Sequence, residues 1–522
     1  MNPPISESLK TLLAITIGIY VLCMFAIGLL ATKKVENAED YIVAGRSLPL
    51  FLAWSTILAT WFGAGTVLTV CTEVSKHGLQ RAGLDPLGSG LCLILAGMFF
   101  ARPLWQMGLL TLCDFYKRVF GPRVEVISAL VMIPSYFGWI AAQFVALAQV
   151  FALFFNIPIE TGVALIAVFG TGYTLLGGMW AVTLTDAVQI SLVLIGLVVL
   201  TFNVLTGVGH GDAMVGYLSV ISTIEKEAPM KLHWIPNETP SAFWDWVAIL
   251  AAGALGNIPG QDLMQRVFAS KSADTAQKAC TWAGIAYIVF GLLPVLLGLV
   301  AAAYYKDRIT ESVLPALAHA FMHPVMAVIF VVVIMSAVLA TITSAILSPA
   351  AVLAQNLLLK TEFVRSRASA LTVNRWCVVF IAAASLAMSY SGQGAFALLE
   401  HAYSVTMVSL FVPLTMGIYT KPRNELPALA SILVGIGVWL PQYLLGWEHF
   451  LQTVPPFDQI GLSLSLTATA LSLVSYLIIH FWQVRILKLE RQAELPAAES
   501  SEATDDSSTG DSSTDGSNDI TN

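Results

Sequence analysis

Thirteen runs of about 20 or more mostly apolar residues divide this sequence, each long enough to cross roughly 30 Å of hydrocarbon as a helix. They fall near 10–31, 49–71, 84–106, 123–153, 159–177, 183–206, 243–266, 278–304, 322–356, 371–391, 395–418, 426–445 and 460–483. The runs are continuously apolar rather than alternating, so they read as helices and not as barrel strands. Only 11% of the 522 residues are charged, against roughly 25% in soluble domains. A soluble multi-domain enzyme is thereby excluded, and an all-α polytopic membrane protein with about 13 transmembrane helices is expected. The first run ends in Lys33 and Lys34 without a small-residue cleavage site, so it reads as a retained helix rather than a leader.

Cationic residues then set the orientation. An outside N-terminus puts most of the 26 Lys and Arg on one side, among them Lys33, Lys34, Arg46, Lys117, Arg118, Arg123, Arg266, Lys271 and Lys278. The positive-inside rule therefore gives N-out and C-in. The formal net charge of −7 comes from the end of the chain, because residues 492–522 carry eight acidic and no basic side chains. The membrane body is close to neutral and gives no hint of nucleic acid. That tail is rich in Ser, Thr, Asp and Gly and reads as disordered. Six cysteines stand singly with no CxxC spacing, which argues against a disulfide framework. Residues 208–242 form the longest external connection, with a short surface helix expected around 213–226.

Unwound backbone is tolerated in a bilayer only where it lines a protein cavity, so glycine clusters inside spans mark candidate sites. The second span contains Gly63 and Gly65 within 59–66; the seventh contains Gly253, Gly256, Pro259 and Gly260 within 253–260. Either cluster alone fits tight helix packing equally well. Two interruptions five spans apart favour two inverted halves meeting at a midplane site. The organisation expected is an extra helix and inside loop over 1–48, a first repeat over 49–207, the external loop over 208–242, a second repeat over 243–418, two further helices over 419–491, and the acidic tail over 492–522.

Other polar residues stand out against the apolar background. Asp186 lies in the short inside turn 177–189, where it enters an apolar helix; an ionised carboxylate there costs roughly 2.5–3.5 kcal/mol on insertion scales. A cation would remove that cost, and so would free amides if Asp186 lay in the first helical turn. Ser336, Thr341, Thr343, Ser344 and Ser348 crowd the ninth span, where hydroxyls either ligate a hard cation or bond their own carbonyls. Glu400 beside His401 is a functional candidate or an interface residue. Arg46 reads as an inside-loop cation able to pair a carboxylate.

At these residues the sequence resembles the sodium:solute symporter family. The matching pieces are 44–49, the 177–189 turn and the hydroxyl-rich ninth span, in family order over roughly residues 10–420. Within the family it is most similar to the high-affinity choline transporter branch, through 59–61, 93–103, 257–259 with 265–267, and 346–348 with Asn356. The resemblance implies a five-plus-five inverted-repeat (LeuT-like) core and secondary transport coupled to Na⁺, with no organic cofactor and no obligatory protein partner. Carried over, a first Na⁺ site uses the carbonyls of Ala59, Phe62 and Ala337 with the hydroxyl of Thr341. The family's preceding hydroxyl falls on Ala340, which removes one ligand. A second Na⁺ site maps to Asp186, Thr343 and Ser344. Of the branch's aromatic cage, Trp61 and Trp139 are kept, while two further positions fall on Ser89 and Gly260. Asn257, Gln261 and Asp262 give the substrate region a hydrogen-bonding character, so the expected solute is choline-like or another amine or zwitterion. A proline- or carboxylate-type symporter and a substrate-sensing membrane module are the alternatives. A cell-membrane location, plasma or inner, accompanies this reading.

Overall fold

With no water in hydrocarbon to satisfy a backbone amide, each spanning segment must close its own hydrogen bonds, and these segments do so as helices. The computed structural model describes residues 7–31, 35–237, 239–305, 313–392, 394–457 and 461–502. Its principal helices are α1 (Glu7–Ala31), α2 (Leu50–Trp61), α3 (Gly65–His77), α4 (Leu79–Gln106), α5 (Pro122–Phe155), α6 (Ile159–Gly172) and α7 (Gly178–Val208) in the first half. The second half holds α8 (Pro240–Gly256), α9 (Gln261–Ala269), α10 (Ala273–Tyr304), α11 (Pro324–Val352), α12 (Ala370–Ser389), α13 (Ala395–Tyr419), α14 (Leu426–Leu444) and α15 (Leu464–Glu502).

Among the described residues eleven helices are long and apolar enough to span a membrane, or twelve if the bent pair α2 and α3 is one span. The expected fifth span is the shorter apolar helix α6, whose backbone continues to a kink at Gly178 (φ +53°, ψ −152°). Gly178 packs so closely on Tyr41 that a Cβ would fall 2.5 Å from its ring. The last helix runs further than composition suggested. It continues through residues 492–502, where three Ala and three Glu favour helix, so that part of the tail expected to be disordered is helical; residues 503–522 lie outside the described residues. The connection over 208–242 carries its short helix at Ala213–Glu227, capped by Asp212, whose carboxylate accepts from the amides of Met214 and Val215.

The two interrupted segments lie side by side and run in opposite directions. Where the chain enters α2, Leu48 donates to the Ala269 carbonyl at 3.0 Å and accepts from the Lys271 amide at 3.0 Å, at the exit of α9. At the other end of the pair, Trp61 meets Asp262 at the start of α9. Around them pack α5, α7, α10, α11 and α13. Small residues allow this closeness: a Cβ on Gly284 of α10 would sit 2.6 Å from the Gly90 carbonyl of α4. Side chains such as Leu22, Val168, Ile195 and Phe202 stay exposed on the outer faces, as a lipid-facing surface requires.

Candidate functional site between the two helix breaks

The first break covers residues 62–64. Phe62 leaves helical geometry (φ −79°, ψ 58°), and the axes of α2 and α3 differ by 53°. The amides and carbonyls freed at such a break need partners. Gln143 of α5 supplies one, its Oε1 accepting from the Ala64 amide at 2.8 Å. Thr341 of α11 supplies another, its hydroxyl lying 3.2 Å from the Ala59 carbonyl and 3.3 Å from its own Ala337 carbonyl. Two carbonyl oxygens and a hydroxyl thus converge in a buried place between α2 and α11. These are hard oxygen ligands of the kind that replace the water shell of an alkali or alkaline-earth cation.

A second polar path lies deeper along the same two helices. The Thr56 hydroxyl donates to Asp186 Oδ2 at 2.6 Å, and the Thr60 hydroxyl reaches the Thr56 carbonyl at 2.7 Å and Ser344 Oγ at 3.3 Å. Asp186 stands in the third turn of α7, because that helix begins at Gly178. No free helix-end amide is available to it there. Among the described residues its Oδ1 has no hydrogen-bond partner. Thr343 turns away, donating to the Ala340 carbonyl at 2.8 Å.

The second break covers residues 257–260, where Gly260 is extended (φ −74°, ψ 130°). Its freed groups are met by hydroxyls. Thr406 donates to the Gly256 carbonyl at 2.5 Å, and the Asp262 amide donates to Tyr136 Oη at 3.0 Å. Asp262, only 3% exposed, then organises two aromatic rings. Trp61 Nε1 donates to its Oδ2 at 2.8 Å, and Tyr136 Oη donates to its Oδ1 at 2.5 Å. Beside this carboxylate lies a partly open cavity lined by Ser135, Tyr136, Trp139, Asn257, Tyr403 and Thr406 together with small residues. Arg266, completely buried one turn further along α9, donates from Nη1 to the Asp262 carbonyl at 2.8 Å, while among the described residues its Nε and Nη2 have no hydrogen-bond partner.

The profile of the sodium:solute symporter family matches residues 41–435. The chain belongs to that family. It is 27% identical to the human high-affinity choline transporter 1 over 446 residues, 81% of this chain and 75% of the human protein. It is 25% identical to the sodium/proline symporter of Salmonella typhimurium over 86% of this chain and 91% of that one. A solved Na⁺-coupled sialic acid symporter in a substrate-bound outward-open state superposes with a TM-score of 0.71 at 16% identity, over 90% of this chain and 96% of that one. The nucleobase-cation-symport transporter Mhp1 gives 0.54 at 14% identity, over 86% and 95%. The fold is the LeuT-like fold of secondary transporters, and the protein is a Na⁺-coupled symporter of a small solute rather than an enzyme.

Within this symporter the residues expected from sequence separate into groups. Ala59, Ala337 and Thr341 meet at the first break, and Phe62 supplies the distorted residue beside them. Trp139, Asn257 and Gly260 line the cavity, and Trp61 and Asp262 are bonded to each other next to it. Ser89 lies buried on α4, its hydroxyl 3.5 Å from the Leu84 carbonyl. Gln261 accepts from the Leu112 amide at 2.6 Å and so fastens the short helix Leu112–Val119 rather than lining the cavity. Glu400 stands apart from the cavity, among the charges of Arg81, Asp245 and Glu448. Arg46 pairs with Glu39 at 2.8 Å and bonds the Leu109 carbonyl. Arg266, counted above with the inside-loop cations, is a fully buried site-adjacent residue, because α9 runs on to Ala269 and holds Arg266 within the helix. Tyr136, Tyr403, Thr406 and Gln143 were not singled out from sequence. Each is a polar residue inside an apolar run, and only its packing shows that it faces a break.

Proposed function

We propose that this symporter carries a small organic amine, a choline-like cation or a zwitterion, inward across the plasma or inner membrane by alternating access, with its N-terminus outside and C-terminus inside. The observation that carries the reading is the buried Asp262 carboxylate held between Trp61 and Tyr136 at the edge of an aromatic-lined cavity. Aromatic faces attract a cationic nitrogen through the ring quadrupole, and a carboxylate adds a charge that a neutral solute would leave unused. The choline transporters to which the chain is similar support the same class of solute.

Na⁺ enters as a second substrate. Its proposed ligands are the carbonyls of Ala59, Phe62 and Ala337 and the Thr341 hydroxyl; Asp186, Thr343 and Ser344 form a proposed second position. Bound between α2 and α11, the ion holds the first break in the arrangement that presents Trp61 to the cavity. Coupling follows because the ion favours one conformation over the other. Each charge moved through 100 mV contributes about 2.3 kcal/mol, enough to concentrate a neutral solute almost fiftyfold.

Proteoliposomes containing the full chain test this directly. Radiolabelled choline, betaine, proline and small carboxylates are offered under an inward Na⁺ gradient and under an equal K⁺ gradient. Accumulation of an amine in Na⁺ alone is the expected result. Accumulation of a carboxylate without an amine would replace the solute class. Solute binding without accumulation would favour a sensing module.

A further inference from the structure

Asp85 takes no part in the site described above. It interrupts α4 with extended backbone (φ −145°, ψ 127°), which turns its carboxylate out of the helix. There it meets two hydroxyls. Thr66 Oγ1 of α3 lies 3.1 Å from Oδ1 and 3.0 Å from Oδ2. Tyr287 Oη of α10 lies 3.1 Å from Oδ2 and 2.9 Å from the Trp61 carbonyl. The two hydroxyls also contact each other. All three side chains are buried, and a Cβ on Gly65 would fall 2.9 Å from Oδ2, so the first break closes directly over the carboxylate.

The protons in this cluster can be counted. Five oxygen–oxygen contacts share two hydroxyl protons, and among the described residues no backbone amide, Lys, Arg or His donates to Asp85. With an ionised carboxylate, two protons cannot fill these contacts, and lone pairs face one another around an unpaired buried charge. One more proton on Oδ2 resolves the cluster into a directed chain. Asp85 then donates to Thr66, Thr66 to Tyr287, and Tyr287 to the Trp61 carbonyl, while the two 3.1 Å contacts are left as neighbours. Serial hydrogen bonds of this kind strengthen one another.

A metal ion fits the same oxygens less well. Ligands held at about 2.3–2.6 Å from one ion stand about 3.3 Å or more apart at right angles, whereas the contacts here have hydrogen-bond lengths.

We propose that Asp85, Thr66 and Tyr287 form a proton-binding site that ties a proton to the first helix break through the Trp61 carbonyl. The titratable groups facing Asp85 are the phenols of Tyr287 on α10 and Tyr403 on α13. On α8 the sole titratable residue, Asp245, is taken by His449. On α3, Glu73 faces His77, and Cys71 packs on Gly298. On α4 itself, Arg81 lies over the Phe396 ring, and Cys92 feels the charge of Asp262. The site is separate from the Na⁺ ligands, and its occupation leaves α2 fastened to α10.

Infrared spectra of the full chain in lipid nanodiscs test the proposal without needing a transported solute, so its failure would leave the symporter reading untouched. At neutral pH in K⁺ buffer, the wild-type minus Asp85→Asn spectrum should contain the C=O stretch of a carboxylic acid that shifts in D₂O. Carboxylate bands in its place would overturn the proposal. So would an acid band that Na⁺ converts to carboxylate, because that would make the cluster a metal site. Tyr287→Phe guards against a folding failure of the first variant. It should shift the frequency of the same acid band, and an unchanged wild-type acid region in that variant would also overturn the proposal.

Discussion

The two helix breaks do similar backbone work with different chemistry. At the first, between α2 and α3, carbonyl oxygens at Ala59 and Trp61 point at hydroxyls from α11 and α10, and Gln143 takes the free amide. At the second, between α8 and α9, the partners are Tyr136 and Thr406, and a cavity opens beside them. The first is an oxygen-rich, closed place, proposed above for the ion; the second is an aromatic-rich, partly open place, proposed above for the solute. Trp61 and Asp262 connect them through one 2.8 Å hydrogen bond. On the proposed reading the two interruptions divide the work between ion and solute, and this bond is the direct link between them.

The sharpest way to break this comparison is at its junction. Asp262→Ala removes the acceptor for Trp61 and Tyr136 and the negative charge beside the cavity. Apparent affinity for an amine solute should fall by about 2–5 kcal/mol, the loss typical of a truncated buried charge pair, as read by equilibrium binding. A loss no larger than that of a cavity-wall change such as Ala402→Gly would detach Asp262 from the solute.

Thr341→Ala comes next. It removes the only proposed side-chain ligand at the first break and should raise the Na⁺ concentration for half-maximal uptake about tenfold, about 1.4 kcal/mol, while solute affinity at saturating Na⁺ stays near wild type. A changed solute affinity with unchanged Na⁺ dependence would reverse the roles given to the two breaks.

Gln143→Leu leaves the Ala64 amide buried without its acceptor. Thermal unfolding in detergent should report a destabilisation of about 1–3 kcal/mol. The smallest effect is expected from Ala340→Ser, which adds a hydroxyl beside the proposed Na⁺ ligands and should lower the half-saturating Na⁺ concentration a few-fold in the same uptake assay.

Much of the architecture was legible because a bilayer imposes so strong a constraint. Continuous apolar runs gave the helices, and the glycine clusters at 59–66 and 253–260 gave the breaks. Resemblance added Thr341, Ala337 and Trp139. What stayed hidden depends on which side of a helix faces inward. Tyr136 and Tyr403 look the same in sequence whether they meet lipid, an interface or a cavity. Arg266 read as a loop cation because it ends the seventh apolar run, yet it is fully buried. Gln261 read as a solute contact from its neighbours, but one register step on α9 turns it to Leu112. Asp85 did leave a signal, a carboxylate at the start of an apolar run.

The central claim is that an ion at the first break organises the solute site at the second. Ligand-induced thermal stabilisation of the purified chain, measured in Na⁺ and in K⁺ across amines, amino acids and carboxylates, tests it most directly. The account predicts stabilisation by an amine in Na⁺ alone, with the Na⁺ requirement displaced to higher concentration in Thr341→Ala. Equal stabilisation in Na⁺ and K⁺ would contradict it.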